Sequence, residues 1–303
     1  MLTYILIVVL LYVLLFILNT NHLEKKIFYK HVMNGGIRNF FGQSQYQTDV
    51  GTGVKQILLA PFYFDDNRLT KISQGTMFNL YCFTDEYIGT QEKMSGKMFW
   101  DDYFNKNGIK TPKLYATTNP FRVYDHILPD KEYIAKPEIG FQGRGVHVIK
   151  GRDIKPTKDN YLIQEKVQAC DYDGALSYRV VTTYDGDVVT IYEQKNDKNV
   201  TSNSLNGFKP TETRIRLCGT SMCEDVKDRD KLNAVIDKLK NLHTRDFSFC
   251  FSIGWDLMID CDHVYVLEGN WPSAIFGRRP DADEFLNDVI KPKVEKFYAL
   301  NNM

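Results

Sequence analysis

The chain has 303 residues, enough to bury a large core, and behind its first segment it should form one large domain or two small ones. Lys plus Arg and Asp plus Glu each number 38, so no global field draws the chain to nucleic acid or anionic lipid, and a compact substrate at a local site is expected. The six cysteines, at 82, 170, 218, 223, 250 and 261, form no CxxC pair and no Cys/His cluster of zinc spacing, which leads us to expect free thiols in a reducing compartment.

Residues 1–18, MLTYILIVVLLYVLLFIL, carry no charge. At ~1.5 Å per residue they reach ~27 Å, close to the thickness of bilayer hydrocarbon. The run ends in Asn19, Thr20 and Asn21 and offers no small-residue cleavage site, so an uncleaved anchor over 1–19 is expected. Lys25, Lys26, Lys30 and Arg38 follow it and nothing basic precedes it, so the positive-inside rule places the remainder in the cytosol as a single-pass protein. Residues 20–90 read as a linker and N-terminal region, with QILLAPFYF (56–64) as a buried strand and no assignable chemistry.

From 91 to 303 the pattern is that of a folded domain. KMFWDDYFNKNG places Phe99, Trp100, Tyr103 and Phe104 at helical spacing, with Gly108 as a stop and Pro112 just beyond. YATT (115–118), EYIAKP, GVHVIK and YLIQEKV (161–167) read as strands. LSYRVVTTYDGDVVTIYEQ contains two β-rich runs joined by Asp185–Gly186, a hairpin signal. DRDKLNAVIDKLKNLH aligns Leu232, Val235, Ile236, Leu239 and Leu242 on one helical stripe, and GWDLMIDCDHVYVLEGN reads as two strands around 260–263. The class is α+β with antiparallel hairpins, without the βαβα rhythm of a doubly wound sheet.

YIAKPEIGFQGRGVHVIK ends an apolar strand in Lys136 and follows it with Gly140, Gly143 and Gly145. Such a loop exposes backbone N–H groups to a phosphate while the lysine supplies charge, although glycines also make ordinary turns. No GK[ST] follows, so this is no Walker A loop, and the H-R-D and D-F-G of protein kinases are absent. The terminal hairpin adds oxygen donors. Asp256 and Glu268 lie six residues either side of Asp262, so a hairpin centred there sets them opposite one another, ~5 Å apart at Cβ. Glu268 and Asn270, two apart on a strand, share its face. Two opposed carboxylates repel, and Mg²⁺ shared with substrate phosphates would relieve them. The alternative is a solvated hairpin of a different register.

Lys97 before a short helix and GIKTP, then IAKP with GFQGRGV, then LIQEKV, then a terminal D…LEGN hairpin, all in this order, resemble the ATP-grasp superfamily over about residues 90–275. LSYRVVT with its D-G turn and IGWDLMID…VYVLEGN look more narrowly like the sugar-transfer associated ATP-grasp family. The resemblance implies two α+β subdomains gripping ATP. It makes Lys97 and Lys136 phosphate contacts, with Gly140, Gly143, Arg144 and Gly145 as a flap over the phosphates. It assigns Gln164, Glu165, Lys166 and Val167 to the adenine, and Asp171 or Asp173 to the ribose. Asp256, Glu268 and Asn270 become Mg²⁺ ligands, and Arg179, with Lys136, acts at the reacting phosphate or acyl group. Read from the residues alone, Lys97 is equally a surface lysine, Arg179 a partner of a neighbouring acid, Arg144 a solubilising residue and His147 structural. Trp271, Arg278 and Arg279 depart from the family's pattern after LEGN and suit a different acceptor.

The implied function is a membrane-anchored, Mg-ATP-dependent ligase joining a small-molecule or sugar-linked carboxylate to an amine or other nucleophile through an acyl phosphate, in glycan or sugar-conjugate assembly. An amino-acid ligase modifying a peptide or protein is one alternative. A non-catalytic ATP-binding scaffold at the membrane is another. No nucleic-acid partner is expected.

Overall fold

A computed structural model describes residues 6, 7, 9–14, 96–140, 143, 145–170, 175–196, 212–216, 229–270 and 286–300. The chain divides into two compact units, Thr84–Ser273 and a second made of Met1–Phe83 with Ala274–Met303.

The Thr84–Ser273 unit opens with helix α1, Lys97–Lys106. Gly96 offers no side-chain cap, and the orphan amides at this end are met from outside: Met98 N donates to the Glu138 carboxylate at 3.2 Å and Lys97 N to the Glu138 carbonyl at 3.2 Å. Trp100 and Phe104, one turn apart, are both buried. The helix stops where Gly108 adopts φ +65°, and Ile109 N turns back to Phe104 O at 2.9 Å.

Ten strands follow: β1 Leu114–Thr118, β2 Phe121–Val123, β3 Glu132–Pro137, β4 His147–Lys150, β5 Tyr161–Glu165, β6 Ala175–Thr183, β7 Val188–Asn196, β8 Glu212–Arg216, β9 Ser252–Ile259 and β10 Val264–Asn270. They form two antiparallel five-stranded sheets, ordered β2-β1-β5-β3-β4 and β10-β9-β6-β7-β8. In the first sheet Tyr115, Ala116, Tyr133, Ala135 and Ile163 make a core on one face. Alternation sends Ile134, Lys136, Leu162 and Gln164 to the other, where Ile134 pairs with Gln164 and Lys136 with Leu162.

The second sheet buries Val180, Ile253, Trp255, Leu257 and Val266. Helix α2, Arg229–Asp246, contributes Leu232, Ile236, Leu239 and Leu242 to the buried core, while Val235 of the same stripe is half-buried. Within this core His243 is fully buried. Its Nε2 faces the Cys250 carbonyl at 2.9 Å and must carry the proton, leaving Nδ1 to accept from the Thr182 hydroxyl at 2.7 Å, which accepts in turn from Trp255 Nε1 at 2.8 Å. Burial pushes the imidazole down to about 4, so it is neutral at physiological pH.

Segment 109–113 joins the sheets through its main chain: Val266 N of β10 donates to Lys110 O at 2.9 Å, and Glu165 N of β5 to Lys113 O at 2.8 Å. In the second unit, a π-helical turn, Leu286–Ile290, runs into helix α3, Lys291–Leu300, with Ile290, Val294 and Phe297 buried. Residues 6, 7 and 9–14 are helical. Among the described residues no helix is long and apolar enough to cross a membrane. The 56–64 strand lies outside the described residues.

One reading is corrected, and two strands are added. Cys170 and Cys261 form a disulfide across 91 residues, so the expectation of free thiols holds for buried Cys250 and fails for this pair. Spacing rules miss it because the β5–β6 connection and the β9–β10 turn are neighbours in the fold and remote in sequence. Strands β2 and β8 were not expected: β2 is three exposed residues beyond Asn119–Pro120, and β8 lies in a polar stretch.

Candidate active site

The second sheet assembles an ionic row. Arg179 on β6 pairs with Asp256 on β9, which pairs with Glu268 on β10. Opposition of the two carboxylates, expected from the sequence, is achieved through a bulge. The ladder runs Val264 to Ile259 and Val266 to Leu257, then slips by one residue so that Glu268 faces Asp256 and Asn270 faces Gly254. In a regular strand Val264, Val266, Glu268 and Asn270 would share one face. The bulge lets Val264 and Val266 enter the core while Glu268 and Asn270 join Asp256 on the other side. Gly269 then turns to the core, where a Cβ would come within 2.8 Å of two Trp100 ring carbons.

Arg179 grips Asp256 with both arms of its guanidinium, Nε to Oδ1 and Nη2 to Oδ2, the latter at 2.8 Å. Asn270 Nδ2 donates to Asp256 Oδ2 at 2.9 Å and to Glu268 Oε1 at 3.4 Å. One amide thus spans both carboxylates. Burial raises the Asp256 pKa; the Arg179 charge opposes this and Glu268 reinforces it.

Cations arrive from the other elements. Lys97, 8 % exposed at the start of α1, places Nζ 3.9 Å from Glu268 Oε2 and 3.1 Å from the Gly140 carbonyl. Lys136 lies in the field of Glu268, Lys97, Asp101 and Glu138. Burial, aided by the Lys97 charge, pushes its ammonium down to about 8, against the pull of the three acids. Gly143 and Gly145 hold φ of +71° and +76°, a backbone that side chains disfavour, and a Cβ on Gly145 would meet Pro137 at 2.8 Å.

Lys97, Lys136, Arg179, Asp256, Glu268 and Asn270 are therefore brought together, with Gly140 at their edge. The adenine set is less concentrated. Gln164 Nε2 reaches Asp101 Oδ1 at 3.4 Å, Glu165 Oε2 sits 3.5 Å from Lys113 N, and Lys166 Nζ is bound to Glu132 at 2.7 Å. Val167 is half-buried after β5. His147 Nδ1 lies 2.9 Å from the Gly145 carbonyl, a structural contact. Arg144, Asp171, Asp173, Trp271, Arg278 and Arg279 lie outside the described residues.

Two acids escaped the sequence reading. Asp101, 7 % exposed, accepts from Gln164 and from Asn105 Nδ2 at 3.3 Å, and burial raises its pKa. Burial likewise raises that of Glu138, which caps α1. Both had a signal: Asp101 is one helical turn beyond Lys97, and Glu138 follows Lys136 by two residues, just past the end of β3.

As a metal site the donor set is two carboxylates and one amide. No cluster of three or more His, Cys, Asp or Glu suited to a metal occurs among the described residues. Two carboxylates held within reach of a single amide suit a hard ion that takes its remaining ligands from phosphates and water, and a half-turn of the Asn270 amide would add a third oxygen.

No family model and no curated protein matches this sequence. Among solved structures it is similar to the ATP-grasp ligase PsnB complexed with minimal precursor, at 17% identity over 69% of this chain and 61% of that one, TM-score 0.42. It is similar to D-alanine–D-alanine ligase from Bacillus anthracis at 12% identity over 68% and 66%, TM-score 0.43. It is also similar to the D-cycloserine synthetase DcsG at 14% identity over 67% and 70%, TM-score 0.43. The chain thus spans less than two thirds of the length of the first two structures.

Proposed function

We propose that this chain is an Mg-ATP-dependent ligase of the ATP-grasp type. The observation that carries the reading is the row Arg179–Asp256–Glu268, bridged by Asn270 and faced by Lys97 and Lys136. Fixed cations beside paired carboxylates are what a phosphoryl transfer needs, because its transition state spreads negative charge over oxygens that must be held and neutralised.

In this reading Lys97 and Lys136 bind the phosphates, with the Gly143 and Gly145 backbone beside them. Asp256, Glu268 and Asn270 would hold Mg²⁺, which supplies charge neutralisation at the phosphate oxygens when bound. Arg179 orients Asp256 and opposes the rise that burial imposes on its pKa. A substrate carboxylate oxygen attacks the γ-phosphorus, the bond to ADP breaks with its electron pair leaving on ADP, and an acyl phosphate results. An amine or other nucleophile then attacks the acyl carbon and releases phosphate.

Attachment to a membrane through residues 1–18, with the ligase domain in the cytosol, is part of the proposal and rests on the uncharged length of that run and the lysines after it. Use in glycan or sugar-conjugate assembly rests on the narrower sequence resemblance, which a fold does not decide.

The test is hydroxylamine trapping. Purified residues 20–303, given ATP, Mg²⁺ and a panel of carboxylates, should form a hydroxamate with the proper acid, and Glu268→Gln should lose nearly all of it while remaining folded. ATP cleavage at an undiminished rate in Glu268→Gln, or turnover with no trappable acyl species, would overturn the mechanism.

A further inference from the structure

We propose that Glu138 is a positioning residue that holds Lys97 in place for the nucleotide phosphates, by tying the start of α1 to the end of the strand that carries Lys136. The proposal rests on the nucleotide reading above and adds a residue to that phosphate site.

The two phosphate lysines belong to different parts of the fold. Lys136 stands on β3 of the first sheet. Lys97 is the first residue of α1, a helix packed on the second sheet through Trp100, whose ring meets that of Trp255 edge to face with centres 5.7 Å apart. Strip 109–113 follows the far end of α1, and at the near end the link is Glu138. Its amide donates to the Asn160 carbonyl at 2.9 Å, which keeps it beside the start of β5. Its carbonyl accepts from Lys97 N at 3.2 Å, and its two carboxylate oxygens lie 3.2 and 3.3 Å from Met98 N. One residue thus serves both leading amides of a helix start that has no side-chain cap of its own. Gly96 suits the arrangement, since a Cβ there would come within 2.5 Å of Glu138 Oε1.

Charge and geometry act in opposite senses at Glu138. Its carboxylate lies in the field of both lysines: burial raises its pKa, and the Lys97 and Lys136 charges oppose the rise. An anion so close to a phosphate site repels the ligand, so electrostatics alone makes nucleotide bind more tightly once it is removed. Positioning works the other way. In the free protein Lys97 Nζ rests 3.1 Å from the Gly140 carbonyl and 3.9 Å from Glu268 Oε2, and phosphate oxygens compete for it there. The reach of the ammonium is then set by the first turn of α1, from which its stem projects. Without the Glu138 carboxylate this turn keeps the Lys97 N bond and the packing of Trp100 but loses the acceptors of Met98 N. Its leading end frays more readily, and phosphate binding has to restore it.

The experiment measures the affinity of the full-length chain for Mg-ADP by calorimetry. Glu138→Ala should bind about fivefold more weakly than wild type, the scale of a lost helix cap, although it removes a repelling charge. Glu138→Gln keeps an oxygen for Met98 N and sheds the charge, and should bind at least as tightly as wild type. Gly96→Ala keeps the charge and crowds the carboxylate off Met98 N, so it should weaken binding as Glu138→Ala does, and it serves where Glu138→Ala does not fold. In a Lys97→Met background Glu138→Ala should no longer weaken binding, because the lysine it acts through is gone. Hydrogen exchange at the Met98 amide, without nucleotide, should quicken in Glu138→Ala and Gly96→Ala but not in Glu138→Gln. Glu138→Ala binding as tightly as wild type, Glu138→Gln binding as weakly as Glu138→Ala, or an equal loss with and without Lys97 would each overturn the positioning role alone. A wild-type chain that binds no Mg-ADP would instead overturn the nucleotide reading and this role with it.

Discussion

Replacing the Lys136 ammonium should change how nucleotide affinity depends on pH, and the size of the change follows from the surroundings of that group. Burial and the nearby Lys97 hold Lys136 at about 8 in the free protein. Phosphate oxygens favour the charged form, so bound nucleotide raises this value and binding above pH 8 draws a proton from solvent. A group of pKa about 8 is about nine-tenths protonated at pH 7 and about one-tenth at pH 9. Affinity for Mg-ADP should therefore fall about tenfold between those pH values on account of Lys136. Calorimetry in two buffers of different ionisation enthalpy measures both quantities, and proton uptake should approach one per nucleotide at pH 9. Lys136→Met supplies the baseline, since it keeps the stem, binds more weakly at pH 7 and retains only the titration of the nucleotide and other groups. Parallel curves for wild type and Lys136→Met, or no proton uptake at pH 9, would refute the placement of this lysine on the phosphates.

The same depressed pKa means that the ligand-free fold carries a penalty below pH 8 that fades as pH rises from about 8 towards 10.5. Lys136→Met should accordingly raise the unfolding free energy at pH 7 by about 1–3 kcal/mol, read by urea denaturation. His243 acts in the opposite sense at acid pH: held at about 4 against an ordinary 6.5, it resists the proton that the unfolded chain accepts. Stability should drop by roughly 3 kcal/mol as pH falls through that window, and a His243→Gln variant should show a flatter pH profile whatever its absolute stability. Gly269→Ala forces a methyl to within 2.8 Å of the buried Trp100 ring and 3.0 Å of Trp255, so a loss of about 1–3 kcal/mol is expected in thermal melts.

Elements with a strong period were legible before the structure. EYIAKP, the Asp185–Gly186 hairpin and the stripe of α2 fall where their alternation and turn residues put them. The opposition of Asp256 and Glu268 was also legible, though for an incomplete reason. A centre at Asp262 fits the far end of the hairpin because the bulge after Val266 shifts the ladder by one residue there. Nothing in VYVLEGN announces a bulge, because Val264, Val266, Glu268 and Asn270 keep a perfect period of two. Arg179 could have faced a phosphate or an acid, and a register between β6 and β9, which no local pattern records, puts it on Asp256. Asp101 and Glu138 were passed over since a carboxylate on a helix or strand is ordinarily solvated. Their importance arises from what packs over them. The Cys170–Cys261 pair was illegible for the same reason, being a contact of tertiary structure alone.

The strip from Lys110 to Lys113 works as a spacer gauge. The carbonyls of Lys110 and Lys113 each receive a strand amide, one from the edge of the carboxylate sheet and one from the strand beside that of Lys136. Because both bonds are made by main chain, the separation they impose is indifferent to the side chains between them, and Pro112 stiffens the strip by fixing one φ angle. Replacing the exposed Lys110 or Lys113 leaves both main-chain bonds in place, whereas one inserted or deleted residue should move one sheet against the other and change the reach of Lys136 towards Glu268. The buried Ile109, Thr111 and Pro112 are held by packing as well, and length variants of 109–113 are the direct way to shift the Lys136 strand against the carboxylate sheet.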